Sequence, residues 1–522
     1  MREFNVTGIC IPGKHYMVDI SNKVSQIAAM VEKGQYFTIN RARQYGKTTT
    51  IRQLESVLLK NGYLVARISF EGVGDTPFES EQNFCQNIID QISRAINRTN
   101  PEYAGAWIND SVKTYKDLDF FLNEVCKDKK VVLIIDETDK TSNNLIFLRF
   151  IGMLRDKYLE RDNPKRATFQ SVILAGVYDI KNLKVKLTQK GLCQLQDGEK
   201  RINSPWNIAV NFDIDMSFSS PEIATMLLEY EKDNKIGMDI DLISKELRAY
   251  TNGYPFLVSR LCQIIDEKLD KDWTAKGVLE AVKILLNERN TLFDDLSYNI
   301  ENYRDLFDLL HNIIVEGKKV TYNNLNSTMN LGLTFGILRE TNRVLAVNNK
   351  IFETAICDYF ISLSYTTPEG KNSRVGAVCG IVEKDKFNME LCIKKFMQHY
   401  YEIYHKKDTD FLERECRLLF LTYLRPLING AGFYHIESET RNGERTDLVV
   451  DFNDKQFIVE LKLWYGKQKH EEAHKQLIKY LDFKNKSEGY LLTFDFRKRK
   501  AKKFSAKWVR KSKKKFLDCL CV

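Results

Sequence analysis

Proline is scarce in this chain of 522 residues, with nine in all, which argues against long disordered linkers. Cys-x-x-Cys pairs are missing: the 11 cysteines are scattered singly, apart from Cys519 and Cys521. That pattern excludes a disulfide framework and a zinc ribbon, and fits reduced thiols used as small core residues. No run approaches the roughly 18 apolar residues of a membrane-spanning helix. The opening stretch MREFNVTGICIPGKHY lacks the continuous apolar segment of a secretory signal. These absences lead to the expectation of a soluble, cytoplasmic protein. Its length suggests three or four domains at roughly 100–200 residues each.

The formal charge of +9 is unevenly spread. Residues Arg497 to Lys515 hold 12 Lys/Arg and no acid, and without them the balance is −3. The same segment carries Phe504 and Trp508. A basic tail over 501–522 is therefore expected, either as a nonspecific clamp on nucleic-acid phosphates, with aromatics able to stack on bases, or as a solvated tail.

Residues 36–40 (YFTIN) alternate as a strand does. They run into Arg41-Ala42-Arg43-Gln44-Tyr45-Gly46-Lys47-Thr48-Thr49, after which the text reads as a helix to about Gly62. Strand, loop, Gly-Lys-Thr and helix form the layout of a P-loop. There backbone N–H groups hold phosphates, the lysine reaches the β/γ-phosphates and the threonine hydroxyl binds Mg²⁺. Arg41 stands where the general pattern has its first glycine. Downstream, Val131 to Ile135 is an unbroken apolar run, as for a strand buried on both faces, and it ends in Asp136-Glu137. Asp136 can hold Mg²⁺ and Glu137 can orient or deprotonate an attacking water. Further strands are expected at 63–70 and 169–175, and helices around 78–97 and 143–160. That is the alternation of a mainly parallel α/β sheet.

The segments FTINRARQYGKTT, VVLIIDETDK and VILAGVYDIKNLK resemble the AAA-ATPase-like group within the AAA+ and STAND P-loop NTPases. The resemblance spans roughly residues 1–290 and implies ATP and Mg²⁺ as cofactors, with an arginine-rich P-loop in which Arg41 is at home. It implies a P-loop core at 1–215 and a helical lid at 216–295, where Gly253-Tyr254-Pro255 is similar to the Gly-x-Pro element of STAND proteins. Arg260 on the following helix is read either as a nucleotide-sensing arginine or as a helix-packing one. Asp179 is considered as a strand-4 sensor. A homo-oligomer is implied with no arginine finger assigned; Arg155 and Arg161 follow the acidic motif on the next helix, and either could be structural. Residues 296–362 resemble a winged-helix domain, with few clustered bases and so a relay role, and 363–384 reads as a linker.

A second constellation lies near the C-terminal end. Residues 445–452 and 456–463 are alternating runs flanking Asn453-Asp454-Lys455, a β-hairpin signal. A two-residue turn sets Asp447 opposite Glu460, a three-residue turn shifts the register by one, and Lys462 shares the face of Glu460. Two carboxylates that bind Mg²⁺ or Mn²⁺ and an ammonium that positions water can hydrolyse a phosphodiester. A salt-bridged hairpin is the alternative. Asp447 with Glu460-Leu461-Lys462 resembles the PD-(D/E)XK nuclease superfamily, with Thr446 in the place of its first-motif proline. The resemblance covers roughly 385–500 and implies an α/β nuclease fold, a glutamate on the preceding helix (Glu415 in preference to Glu413) and Gln476 on the following one.

His470-Glu471-Glu472-Ala473-His474 also fits H-E-x-x-H, the zinc-peptidase helix, but it needs a third ligand and another fold around it. The sequence thus leads to an ATP-binding, ATP-hydrolysing chain joined to a metal-dependent DNA nuclease. A role in defence, mobile-element or repair work is the corresponding expectation. The alternative is an ATP-controlled binding switch with an inactive nuclease fold.

Overall fold

The computed structural model describes residues 2–140, 144–163, 165–177, 206–314, 318–366, 381–383, 386–404, 419–425, 427–428, 432–437, 446–453, 455–495 and 504–521. The chain divides into two compact units, one made of 1–248, 253–278 and 334–336, the other of 249–252, 279–333 and 337–522.

In the first unit, β1 (Phe37–Asn40), β2 (Leu64–Ser69), β3 (Val131–Asp136) and β4 (Ser171–Gly176) form a four-stranded sheet of order β1-β4-β3-β2, parallel throughout. An isolated parallel bridge from Phe37 to Val210 continues it past β1. Every residue of β3 and β4 is buried, which is why these strands read as unbroken apolar runs rather than alternating ones. The helices Glu81–Thr99, Tyr115–Val125 and Leu145–Leu159 pack their apolar stripes here, around Phe84, Phe121, Phe147, Phe150 and Trp107. Their starts are set by side-chain caps from Ser80, Thr114 and Asn144, each satisfying an N–H that the helix leaves open. Further helices follow at Ser220–Asn234 and Pro255–Lys268. The N-terminal segment joins the first of these through a chain of rings, Phe4–Tyr16 at 5.0 Å, Tyr16–Tyr230 at 5.1 Å and Tyr230–Trp273 at 4.9 Å.

The second unit opens with the helices Thr291–Asn302 and Arg304–Ile314, then β5 (Val320–Thr321), the helix Ser327–Thr334, and a hairpin of β6 (Leu338–Thr341) and β7 (Val344–Val347), the three strands lying in the order β5-β7-β6. The helix Lys350–Thr366 carries four residues into the expected linker, and a short hairpin of β8 (Val382–Glu383) and β9 (Lys386–Phe387) begins inside it. Next comes the helix Met389–Tyr404. A six-stranded mixed sheet follows, built from β10 (Gly432–Glu437), β11 (Thr446–Phe452), β12 (Lys455–Leu463), β13 (Glu488–Phe494), β14 (Phe504–Lys511) and β15 (Lys514–Cys521) in the order β10-β11-β12-β13-β15-β14. β12 and β13 are parallel, joined by the helix Lys467–Phe483. Ala473, Leu477, Tyr480 and Leu481 of that helix pack on Val449, Ile458, Leu491 and Phe516 of the sheet.

The expected basic tail is corrected here. Residues 504–521 form an antiparallel hairpin, and β15 pairs in parallel with β13 over seven residues. The run FLDCLC buries Phe516, Leu517, Cys519 and Cys521, so hydrophobic burial outweighs the surrounding charge. Several of the lysines are engaged within the domain: Lys511 with Glu471 at 2.6 Å, Lys514 with Asp482 at 2.9 Å and Lys515 with Glu488 at 3.5 Å. Trp508 donates to Glu390 at 3.2 Å, under the Lys515 ammonium at 3.9 Å from its ring centre.

Candidate nucleotide-binding and nuclease sites

The parallel ladders bring the ends of β1, β3 and β4 to one edge of the first sheet, with Asn40 beside Gly176 and Ile135 beside Leu174. Carboxyl ends of parallel strands are where open α/β sheets bind ligands. The chain leaves β1 through Arg41 to Tyr45 and enters the helix Lys47–Lys60 at Gly46, whose φ of +75° suits glycine. Gln44 is also left-handed, with φ +55°. Arg43 and Gln44 are exposed on the loop, while Tyr45 is buried.

Lys47 is buried, and its Nζ donates to the carbonyls of Arg41 and Ala42, each at 2.9 Å. Burial pulls its ammonium below the usual lysine range, opposed by the carboxylates of Asp139, Glu137 and Asp136. Thr48 Oγ1 donates to Asp136 Oδ2 at 3.1 Å. That contact joins the first helical turn to the end of β3 across 88 residues of sequence. A hydroxyl and a carboxylate on one point are a donor set suited to Mg²⁺. Asp136 also accepts from the Glu137 N–H at 3.0 Å, and Glu137 has φ +55°. The Glu137 side chain is half-buried. Burial raises its carboxyl above the ordinary glutamate range, against the pull of Lys47 and with Asp136 and Asp139 adding to the rise.

Thr49 Oγ1 accepts from the Cys10 N–H at 3.4 Å. Arg41 donates to the carbonyls of Asn40 and Ile214, both at 2.8 Å, and lies 5.3 Å from the Phe212 ring centre. Arg260 bonds Gln263 Oε1 at 2.6 Å on the helix Pro255–Lys268. Arg161 bonds the Gly34 carbonyl at 2.6 Å and stacks on Tyr158, and Arg155 bonds Asn207 at 2.8 Å. Asp179 lies outside the described residues.

Asp139 escaped the sequence reading. Its Oδ2 accepts from the Val177 N–H at 2.7 Å, locking the turn after β3 to the end of β4. The signal was the second aspartate of Asp136-Glu137-Thr138-Asp139. The segment Gly253-Tyr254-Pro255 packs on the P-loop itself. Tyr254 donates its hydroxyl to the Arg43 carbonyl at 2.6 Å, and its ring meets Tyr45 edge-on at 4.7 Å. This approach requires Gly253, whose φ is +69° and where a Cβ would lie 2.0 Å from the Phe218 carbonyl oxygen. Gly253→Ala is therefore expected to destabilise the first unit by roughly 3 kcal/mol, read as a lower urea midpoint at unchanged slope.

In the second unit the expected hairpin forms with the two-residue loop. Phe452 pairs with Lys455, and Asn453 has φ +50°. The register runs to Leu448 opposite Val459, and the side chain of Asp447 lies outside the described residues. Glu460 is 1% exposed, and Lys462 holds its Oε1 at 2.7 Å while remaining 32% exposed itself. A carboxylate buried this deeply needs a cationic partner, and the ammonium two residues along the strand supplies it. Gln476 is half-buried on the helix Lys467–Phe483, one turn from Ala473 and from Tyr480. Glu415 and Glu413 lie outside the described residues.

A model of the AAA-like domain family matches residues 13–358, more than half of the chain, and one of the PD-(D/E)XK nuclease superfamily matches residues 433–504. Among solved structures, the chain is similar to the Walker-type ATPase paby2304 of Pyrococcus abyssi, with 12% identity, 68% of this chain and 99% of that one covered, and a TM-score of 0.45. It is also similar to the Aeropyrum pernix ORC2 protein in its ADPNP-ADP complexes, with 11% identity, 69% and 97% covered and a TM-score of 0.37. For the Thermotoga maritima RuvB Holliday junction branch migration motor the values are 14%, 63% and 92%, and 0.32. No curated protein sequence matches the chain. No helix among the described residues is long and apolar enough to cross a membrane. With a parallel sheet that presents Lys47, Thr48 and Asp136 at one edge, and a mixed sheet carrying Glu460 and Lys462, the chain belongs to the AAA-like domain family and carries a PD-(D/E)XK nuclease superfamily domain.

Proposed function

We propose that the chain binds and hydrolyses ATP with Mg²⁺ in its first unit and cleaves DNA phosphodiesters, with Mg²⁺ or Mn²⁺, in its second. The observation that carries the first half is the 3.1 Å contact between Thr48 and Asp136, with the Lys47 ammonium buried beside them. The loop N–H groups from Gln44 to Thr49 cradle the phosphates, and Lys47 leaves its loop carbonyls for phosphate oxygens. Thr48 and Asp136 hold the Mg²⁺, which neutralises phosphate charge when bound. Glu137 takes the proton of the attacking water. Arg41 and Arg43 add positive potential along the loop, and Arg260 senses the nucleotide from the helix of the lid, taken as 216–295.

In the second unit Asp447 and Glu460 hold the metal, Lys462 positions the water and steadies developing negative charge, and Glu415 and Gln476 complete the site. The 296–362 segment, a winged-helix-like order of helices and hairpin, relays nucleotide state to the nuclease, and the active form is a homo-oligomer. Support for the cleavage reading comes from the depth of Glu460 and its pairing with Lys462.

The experiment is incubation of the full chain with linear and circular, single- and double-stranded DNA, with Mg²⁺ or Mn²⁺, with and without ATP. Cleavage that depends on metal and is lost in Lys462→Ala is the expected result. DNA binding without cleavage under every condition would favour the switch with an inactive nuclease fold. For the ATPase half, Glu137→Gln is expected to keep nucleotide binding and lower turnover by about 10²-fold or more. The raised Glu137 carboxyl also sets the pH dependence. Because the base must be ionised, turnover falls as pH drops through a value above the ordinary glutamate range, and a pH–rate profile reads that limb directly.

A further inference from the structure

The helix Lys467–Phe483 carries a polar cluster that neither proposed reaction uses. His470 and His474 are one turn apart, with ring centres 4.7 Å from each other. Both Nε2 atoms point at one carboxylate, that of Asp518 on β15: His470 Nε2 lies 3.1 Å from Oδ1, and His474 Nε2 lies 3.1 Å from Oδ2. The three ligand atoms all fall within 4.8 Å of one another, the one such group of His, Cys, Asp or Glu among the described residues. Asp518 is 7% exposed and His474 is 5% exposed. The rings of Trp464 and Phe516 flank the pair, at 4.9 Å from His470 and His474 respectively.

We propose that His470, His474 and Asp518 form a structural site for a zinc-class divalent ion, which ties the helix Lys467–Phe483 to β15. Ions of this class take imidazole nitrogen and carboxylate oxygen at about 2.0–2.2 Å, so tetrahedral ligand atoms stand about 3.3–3.5 Å apart. With Oδ2 as the common oxygen, His470 Nε2 lies at 3.2 Å and His474 Nε2 at 3.1 Å, a few tenths of an ångström short of that spacing, so a small outward shift of the rings admits the ion. Removing three polar side chains from water is costly unless they are paired or coordinate a metal. A metal-bound imidazole keeps its proton on the other nitrogen and needs an acceptor there, which His470 has within hydrogen-bond reach and His474 would gain by a small approach of Glu471. Thr493 Oγ1 lies 3.4 Å from His470 Nδ1, and Glu471 Oε2 lies 3.6 Å from His474 Nδ1. Lys511 Nζ is also 3.1 Å from that His474 nitrogen, but it holds Glu471 at 2.6 Å and can keep that bond alone once the ring proton sits on Nδ1.

The cluster is separate from the nuclease residues. Glu460 pairs with Leu491 on β13, and Leu491 with Asp518 on β15, which puts two strand spacings, roughly 10 Å, between the backbones that carry the two carboxylates. Nor is it the peptidase that His-Glu-x-x-His suggests. Glu471, which would be the general base, is 58% exposed in its side chain and is held at 2.6 Å by the Lys511 ammonium.

The test uses the full chain, stripped with a chelator, reloaded with Zn²⁺ or Co²⁺ and freed of excess ion by gel filtration. Elemental analysis is expected to find about one zinc per chain, and Co²⁺ to give the visible absorption of a four- or five-coordinate site. Both signals are expected to fall to about one tenth or less in His470→Asn and in Asp518→Asn, and to persist in Glu460→Gln. His470 is the least buried of the three, so His470→Asn is the variant that keeps its far-ultraviolet dichroism. As a check free of mutation, zinc is expected to raise the unfolding temperature of the stripped wild type. A wild type that retains no ion overturns the site, as does zinc held equally by His470→Asn.

Discussion

Replacing Lys47 by alanine is expected to weaken ATP binding by about 10²-fold and to abolish turnover, measured by titration with a fluorescent nucleotide and by phosphate release. The magnitude follows from removing a charge-assisted hydrogen-bond donor from a water-poor pocket, where such contacts are worth about 2–3 kcal/mol. Lys47 is buried and satisfied by the carbonyls of Arg41 and Ala42, with three carboxylates close enough to act on its charge. Its removal therefore leaves Asp136, Glu137 and Asp139 without their shared cation. Glu137 loses the influence that lowers its carboxyl and moves further up. Any residual turnover in Lys47→Ala should then have its acid limb shifted to higher pH. Wild-type affinity in a folded Lys47→Ala protein would remove the P-loop assignment.

The second large effect is expected at Glu460. Glu460→Gln should lower metal-dependent DNA cleavage by about 10³-fold or more, roughly 4 kcal/mol in the barrier, because it removes a metal ligand of the proposed site. Lys462→Ala should cost about 10²–10³-fold, as for loss of one preorganised donor. Their structural consequences differ. Glutamine keeps the shape of the 1%-exposed side chain and removes the charge that Lys462 compensates, whereas Lys462→Ala strands a buried carboxylate. Lys462→Ala should therefore be the less stable of the two in urea, and Lys462→Met separates the packing loss from the charge loss. Equal cleavage by wild type and Glu460→Gln would move the nuclease reading to the binding switch.

Most of the nucleotide site was legible in sequence because its parts are local. A P-loop is one strand, one loop and one helix turn, so Gly46, Lys47 and Thr48 are close in sequence and in space. β3 announced itself by being apolar on both faces, and its terminal Asp136 needed no more than the end of that run. The hairpin of β11 and β12 was similarly readable as a hairpin, while its register, which differs by one residue between a two- and a three-residue turn, was decided by the pairing of Phe452 with Lys455. Asp139 was missed because its partner, the Val177 N–H, lies just past the end of another strand, β4, 38 residues away.

The C-terminal segment shows where local reading fails. Twelve basic residues between 497 and 515 look like a tail on charge alone. The largely apolar run that buries β15 begins only at Phe516. The turn at Ser512 and Lys513 takes φ +48° and +63° without glycine or asparagine to mark it. What commits the segment is the seven-residue parallel pairing with β13, a contact between distant positions that no period within 504–521 encodes.

Asp518 follows the same logic. The spacing of His470 and His474 on one helix face comes from 3.6 residues per turn and is set by the sequence alone. The carboxylate between them lies 44 residues beyond His474 and is brought there by strand order. The composition, the P-loop, the acidic strand end and the Glu-x-Lys hairpin are properties of short stretches, governed by helix and strand periodicity and turn geometry. The joining of Thr48 to Asp136, the seating of Tyr254 on the P-loop, the strand in place of a tail and the third member of the histidine cluster are products of tertiary packing. Each depends on two segments whose approach is driven by burial of apolar surface elsewhere in the sheet, and that driving force carries no local signature.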